Sequence, residues 1–350
     1  MRPTVRRRTR ILAAIALCVG LSACASGESD SPKLAADAVI ADTVPPGTAL
    51  SVAVHTTEVQ LKTTGDVSKL PFTVKDWPTL SAGPDVIQGF RANAVDIANN
   101  AGIPPIQAHN TGLDAKIVAV ETRSKPLYQL ATAPHTSITK LSDLRGKKIA
   151  LSPGQAQGVV VLRTLTELGL SKKDVTLVEL PSTQFLTALQ AGQVDVAPLA
   201  EPTTTKYLGQ YGKDGARKIE THAVDALSIL WAPTAVLNDP AKAAAVKAFI
   251  PFWARSQVWA WENQDAWIAA YYVKDQKVST ADGKRIVAAS EKPAFPTNWA
   301  DAVKWEQQTI DVVTGFGYFG KSFNAADLFD RRFESVAANA VPAQYRGGQS

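Results

Sequence analysis

From residue 48 onward, short apolar runs alternate with stretches whose apolar positions recur at helical spacing. Leu50 to Val54 has the near-continuous apolar pattern of a buried strand, and Phe72–Val74 repeats it. Pro84 to Ala92 reads as a helix. Val95–Ala98 and Ile117–Val120 read as further strands, and Tyr128–Thr132 as a crossover. The order then restarts. Leu141–Gly146 is a short helical turn ended by glycine, and Lys148–Ser152 is a strand. Gln155 to Leu168 is a helix carrying Val160, Val161, Leu162, Leu165 and Leu168 on its apolar positions and ending near Gly169. Val175–Val178 is a strand, Thr183–Ala191 a helix and Val194–Ala197 a strand. Strands alternating with helices imply βαβ units and an α/β fold.

One motif occurs twice. Ala92-Asn-Ala-Val-Asp-Ile-Ala98 is echoed by Ala191-Gly-Gln-Val-Asp-Val-Ala197, 99 positions later. Each copy follows a helix and forms a strand leading into a loop, which two similar α/β lobes explain. Beyond Leu227–Pro233, the last strand, helices dominate to Val341. The first of them is capped by Asn238 or Asp239 and has Pro240 in its first turn. Trp253, Trp259, Trp261 and Trp267 are expected to pack against the first lobe's sheet.

The N-terminus changes the picture. Arg2, Arg6, Arg7, Arg8 and Arg10 precede a short apolar run, Ile11 to Leu21, and Leu-Ser-Ala-Cys24 closes the segment. Charge, apolar run and small residues in that order form a secretory signal, too short to span a membrane. Residues 25–47, rich in Ala, Ser and Asp, read as a flexible tether. The only cysteines are Cys18 and Cys24. Beyond the signal no thiol is left for a disulfide, a metal site or a nucleophile. The formal charge of +5 loses its five signal arginines, leaving 32 basic and 32 acidic residues. That balance removes the basic footprint nucleic-acid binding needs. Roughly 300 residues fit two lobes better than one core.

Residues 48–335 resemble type II periplasmic solute-binding proteins of the alkanesulfonate, taurine and nitrate group. The likeness rests on Leu144-Arg-Gly-Lys-Lys-Ile-Ala150, Leu165-Thr-Glu-Leu-Gly-Leu170, Lys172-Lys-Asp-Val-Thr-Leu-Val178 and Ala188-Leu-Gln-Ala-Gly-Gln-Val-Asp-Val196. Ser81-Ala-Gly-Pro84 and Gly102-Ile-Pro-Pro105 add to it in the first lobe. The end of the signal resembles a bacterial lipobox, which implies lipidation at Cys24. The resemblance implies a two-lobed fold, each lobe a mixed sheet flanked by helices, joined by two hinge strands near Ala131–Ala133 and Ile229–Ala232. Lobe 1 would comprise residues 48–131 and 232–340, and lobe 2 residues 132–231. It further implies a monomeric receptor, lipid-anchored to the outer face of the cytoplasmic membrane, that delivers its solute to an ABC permease with its ATPase. No cofactor or metal is implied, and no enzymatic activity.

In open α/β sheets, ligands sit beyond the strand C-termini near helix starts. The candidate contacts are His55, Thr56, Thr57, Ser81, Gly83, Pro84, Asn99, Gly102, Ser152, Gly154, Gln155, Glu201 and Trp231. A sulfonate needs several hydrogen-bond donors more than a full countercharge, and helix N-termini supply them. Glycines allow close backbone approach. Glu201 can accept from a solute amine, cap a helix or pair across the cleft, and Trp231 can wall the solute or pack at a hinge. The sequence departs from the family at His55-Thr-Thr57, Ser152-Pro-Gly-Gln155 and Glu201-Pro202, all at expected contacts. Nitrate, a thiamine pyrimidine or an aromatic sulfonate therefore stay open as solutes. A periplasmic enzyme or a sensor lipoprotein is a further alternative, but His55, His109, His135 and His222 show no metal-pair spacing, and no Gly-x-Ser-x-Gly elbow occurs.

Overall fold

The structure is a computed structural model that describes residues 34–35, 37–80 and 82–347. The signal segment, Cys24 and Ser81 lie outside the described residues. Two five-stranded mixed sheets are flanked by helices. The first sheet has the order β2-β1-β3-β10-β4, from β1 (Ala49–Ala53), β2 (Thr73–Asp76), β3 (Ile97–Ala101), β4 (Ala115–Thr122) and β10 (Leu227–Pro233). The second has the order β7-β6-β8-β5-β9, from β5 (Tyr128–Thr132), β6 (Lys148–Leu151), β7 (Thr176–Glu179), β8 (Val196–Ala200) and β9 (Lys218–Ile219). In each sheet three neighbouring strands run parallel, and one antiparallel strand, β10 or β5, sits beside the innermost of them.

The helices follow the parallel strands. They are α1 (His55–Thr64), α2 (Gly83–Arg91), α3 (Ile103–Asn110), α4 (Ala156–Glu167), α5 (Phe185–Gln190) and α6 (Thr203–Tyr211). The C-terminal part adds the single turn α7 (Thr234–Leu237), the long α8 (Pro240–Glu262), the turn α9 (Gln264–Trp267) and a π-helical stretch, Ile268–Asp275. Then come α10 (Thr280–Ala289), α11 (Ala300–Gly315) and the turn α12 (Val336–Asn339). Asp239 caps α8, accepting from the N–H groups of Ala241 and Lys242, as its place before Pro240 predicts.

The repeated Val-Asp motif has a structural cause. Asp96 Oδ2 accepts from Ser51 N of β1 at 2.8 Å, and Asp195 Oδ2 accepts from Lys148 N of β6 at 2.8 Å. Their own N–H groups donate back to Ser51 O and Lys148 O. Each aspartate thus ties the start of its strand to the neighbouring one. That is why β3 and β8 begin one residue later than the aspartate, two later than the apolar pattern predicts.

Three expectations need correcting. The chain passes between sheets at residues 123–127 and 220–226, not at Ala131–Ala133 and Ile229–Ala232. Ala131 lies within β5, paired to Ala197, and Ile229 lies within β10, paired to Asn100 and Val120. Both expected hinges are strand interiors because both neighbours of each strand belong to its own sheet. Second, of the expected tether the described residues 34–35 and 37–46 are docked rather than free, and residues 25–33 lie outside the described residues. Ile40 is buried in the core, Leu34 N donates to Asn238 O, and Lys247 holds Ile40 O and Asp42. Third, of the four tryptophans Trp253 is buried in the main core, edge-on to Phe295, and Trp261 packs against it partly buried, whereas Trp259 and Trp267 cluster with Tyr271 and Tyr272 at the π-helical stretch.

Candidate functional site

The parallel strands of both sheets point their C-terminal ends at one cleft. The first sheet contributes the segments after β1, β3 and β4, and the second those after β6, β7 and β8. Helices α1, α2, α3 and α4 begin there, and none of the four has a side-chain cap on its first turn. Helix α8, by contrast, is capped by Asp239 and α10 by Ser279. Uncapped first turns keep N–H donors and the positive end of the helix dipole available to an anion.

The two halves are closed on each other. Ala82, Pro84 and Asp85 on one side, and Ser152, Pro153, Gln155 and residues 179–183 on the other, enclose a cavity of about 380 Å³. A Cβ on Gly154 would come within 2.4 Å of the Gln107 side chain, so glycine there permits close approach of the lobes. Four basic residues bridge the halves. Arg285 pairs with Glu201 at 3.2 Å, and Lys206 Nζ donates to Gln276 O at 2.6 Å. Arg163 Nη2 donates to Thr309 Oγ1 at 2.8 Å and stacks 4.0 Å over Trp305, while Lys172 lies 3.7 Å over Tyr318.

The expected contacts divide into groups. His55, Thr56 and Thr57 form the first turn of α1. His55 is held between carboxylates, with Nε2 3.1 Å from Asp275 and Nδ1 3.4 Å from Glu58. Thr57 is fully buried, and its hydroxyl has no partner among the described residues. Gly83 and Pro84 open α2; a Cβ on Gly83 would meet Pro104 at 2.4 Å. Asn99 donates to Ser228 Oγ and Ile229 O, tying β3 to β10. Gly102 begins α3, with the Glu306 carboxyl packed on it so closely that a Cβ would lie 1.6 Å from Oε1. Ser152 and Gln155 are buried; Ser152 donates to Gln155 Oε1, which also accepts from Ser182 N.

Glu201 and Trp231 serve structural ends. Glu201 accepts from Thr205 N at 3.1 Å and from its hydroxyl, which caps α6, and also from Arg285 across the cleft. Trp231 has no exposed surface. Its Nε1 donates to Asn100 Oδ1 at 2.8 Å and its ring meets Phe90 edge-on at 4.7 Å. Its rôle as a solute wall is therefore corrected: the indole belongs to the first lobe's core.

The cleft floor holds ionisable groups that sequence reasoning missed. Glu121 is the penultimate residue of β4 and faces Ser228; Arg123 follows the strand, with Tyr128, Tyr272 and Asp225 in its field. Asp225 lies on the return crossing, 5 % exposed, and burial pushes its carboxyl up to about 7 against the pull of Arg123 and Arg163. Glu306 on α11 is 1 % exposed; burial and then Asp225 push it up to about 8, opposed by Arg163. Burial likewise raises Glu121, with Arg123 opposing. Buried hydroxyls without partners among the described residues include Thr204 in the first turn of α6 as well as Thr57. Arg123 was within reach of the strand-edge rule, had β4 been drawn through Thr122. Arg163, Asp225 and Glu306 come from distant segments and carry no local signal.

Two mixed α/β sheets closing on a shared cleft, linked by two crossing segments, define a two-lobed periplasmic-binding-protein fold. A family model described as NMT1/THI5 like matches residues 80–266, and the chain belongs to that family. A candidate aliphatic sulfonates-binding protein of Escherichia coli K12 is 28% identical over 151 residues, 42% of this chain and 47% of that protein, so the match spans about half the relative's length. Its counterpart in Bacillus subtilis 168 is 24% identical over 263 residues, 73% of this chain and 76% of that one. Among solved structures, the alkanesulfonate-binding protein SsuA of Xanthomonas axonopodis pv. citri, bound to MOPS, matches with a TM-score of 0.71 at 19% identity, covering 81% of this chain and 99% of that one. The desulfurization enzyme DSZB shares the fold at a TM-score of 0.53 and 14% identity, covering 84% of this chain and 98% of that one.

Proposed function

We propose that this protein is the solute-capturing component of an ABC importer and binds a small sulfonate-like anion between its lobes. The observation that carries the reading is the cleft itself: the uncapped starts of α1 and α2 from the first sheet and of α4 from the second meet there, with Arg123 and Arg163 close by. Such a set supplies many neutral donors and partial positive charge, which suits a weakly basic tetrahedral anion. The sulfonate-binding names of its relatives support the same solute class. Because the fold also carries an enzyme, binding without turnover is argued from the site and not from the fold.

The candidate contacts are His55, Thr56, Thr57, Ser81, Gly83, Pro84, Asn99, Gly102, Ser152, Gly154 and Gln155, augmented by Arg123 and Thr204. Glu201 closes the lobes instead of reading the solute. Lobe 1 comprises the first sheet with the C-terminal helices, and lobe 2 the second sheet, hinged at residues 123–127 and 220–226. Solute that touches both lobes only when they close shifts the population toward the closed form. The signal segment and the lipobox-like Cys24 support a receptor lipid-anchored to the outer face of the cytoplasmic membrane, where, as a monomer, it hands solute to the permease and its ATPase.

Thermal unfolding with a panel of alkanesulfonates, taurine, aromatic sulfonates, nitrate, sulfate and pyrimidines tests this. A ligand that binds only the native state stabilises it by about 2.7 kcal/mol at a hundredfold over Kd. A melting shift confined to sulfonates is expected. A shift with another class would remove the sulfonate from the reading, and no shift at millimolar ligand would remove solute capture.

A further inference from the structure

Glu306 is an acid placed where no ordinary solvation reaches it. It projects from α11 of the first lobe onto the Cα of Gly102, at the start of α3. Neither carboxyl oxygen has a hydrogen-bond partner among the described residues. The adjoining helix start cannot supply its usual donors, because Pro104 and Pro105 have no N–H. A carboxylate so placed would be costly as an anion, and the neutral acid avoids most of that cost.

Its neighbours come from both lobes. Asp225 reaches it from the return crossing and Arg163 from α4 of the second lobe. Asp225 in turn faces Arg123, Arg163 and Tyr128, and Arg163 also faces Glu167. Glu121, beside Arg123, faces Glu291. Arg163 Nε is buried without a partner among the described residues, while its Nη2 grips Thr309 beside Glu306 on α11. The α4–α11 contact that encloses this cluster joins an element of each lobe.

We propose that closing the cleft on an anionic solute takes up protons from solvent at Glu306 and Asp225, so that capture of the anion is proton-linked. This rests on the solute-capture reading of the cleft. In the step, each carboxylate accepts one proton from water and becomes a neutral acid; no other bond changes. Neutralising the two acids leaves the charges of Arg123 and Arg163 less compensated and thus available to the anion. Proton and anion then favour the same closed state, and each raises the affinity for the other.

The sign follows from the direction of the shifts. Opening hydrates the cluster, and the carboxyls return toward their ordinary 4.5 and 3.8 from about 8 and about 7. Closure thus binds protons. Its proton-linked gain is complete at pH below those ordinary values and is lost as pH rises through about 7 and about 8.

Calorimetric titration with 1-butanesulfonate, in sulfonate-free buffers of differing ionisation heat, reads both proton uptake and affinity. The unaltered protein should take up about one proton near pH 7.5, and its Kd should weaken about a thousandfold from pH 6 to pH 9. Glu306→Gln combined with Asp225→Asn should abolish the uptake and flatten the pH profile. A Kd that is flat or tightens with pH in the unaltered protein, or an uptake that survives the double substitution, would overturn the proposal. If butanesulfonate binds at no pH, the solute reading fails separately, and carboxyl ¹³C NMR of the protein with its lobes cross-linked shut still tests the proton site. A carboxyl titrating near pH 8 that vanishes in Glu306→Gln supports it; Glu306 titrating in the ordinary range refutes it.

Discussion

Asp96 in the first lobe and Asp195 in the second make the same pair of backbone bonds in different surroundings. Asp96 is 7 % exposed and also pairs with Lys242 Nζ of α8 at 2.8 Å. Asp195 is half-buried, and its carboxylate bonds only to Lys148 N among the described residues. The difference follows from chain order. The first lobe receives the C-terminal helices, so its sheet is covered by α8 and its aspartate is sealed under a lysine. The second lobe is built from one continuous stretch of chain and leaves its aspartate near solvent. A shared motif therefore fixes strand pairing in both lobes, while the helices added to one of them decide how much depends on it.

The contrast can be broken most directly by substitution. Asp96→Ala leaves Ser51 N without its acceptor and Lys242 without its partner, and should cost about 3 kcal/mol in urea unfolding. Asp195→Ala should cost about 1 kcal/mol, since water reaches Lys148 N. Equal losses would show that the C-terminal helices add nothing at Asp96. Next in size, Trp231→Phe should cost about 2 kcal/mol by leaving a void where the buried indole packed and half-buried Asn100 Oδ1 without its donor, with solute preference unchanged. A change in which solute binds would return Trp231 to the cleft.

Thr57 and Thr204 sharpen the comparison at the site, one in each lobe. Thr57→Val and Thr204→Val remove buried hydroxyls that lack protein partners, so stability should stay within about 0.5 kcal/mol while solute affinity falls about tenfold. Loss of stability with affinity intact would assign both hydroxyls to the fold. The smallest effect belongs to Arg285→Ala. Its pair with Glu201 is half-exposed, so affinity should weaken only about twofold, and less in high salt. A larger loss would make this contact the main clasp between the lobes.

The second lobe was the more legible in sequence. Its strands and helices follow one another without interruption, and α4 keeps an apolar face from Val159 to Leu165. Strand β10 fell on the predicted residues 227–233 because all seven are buried. The first lobe hid more. No helix was read at 103–110, yet Pro104 and Pro105 suit the first turn of a helix, where α3 begins. The hinges were misplaced because the family resemblance put them inside β5 and β10, although the polar stretches 123–126 and 220–225 mark where the chain changes sheet. Helix starts showed part of the site in advance. The acids and arginines of its floor did not show, because Arg163, Asp225 and Glu306 meet only when distant segments pack.

A crystal structure of the protein with an alkanesulfonate tests the central claim most directly. The account predicts one sulfonate between the lobes, its oxygens among the first-turn N–H groups of α1, α2 or α4, with groups of both lobes in contact. A sulfonate bound to one lobe alone, or outside the cleft, would contradict it.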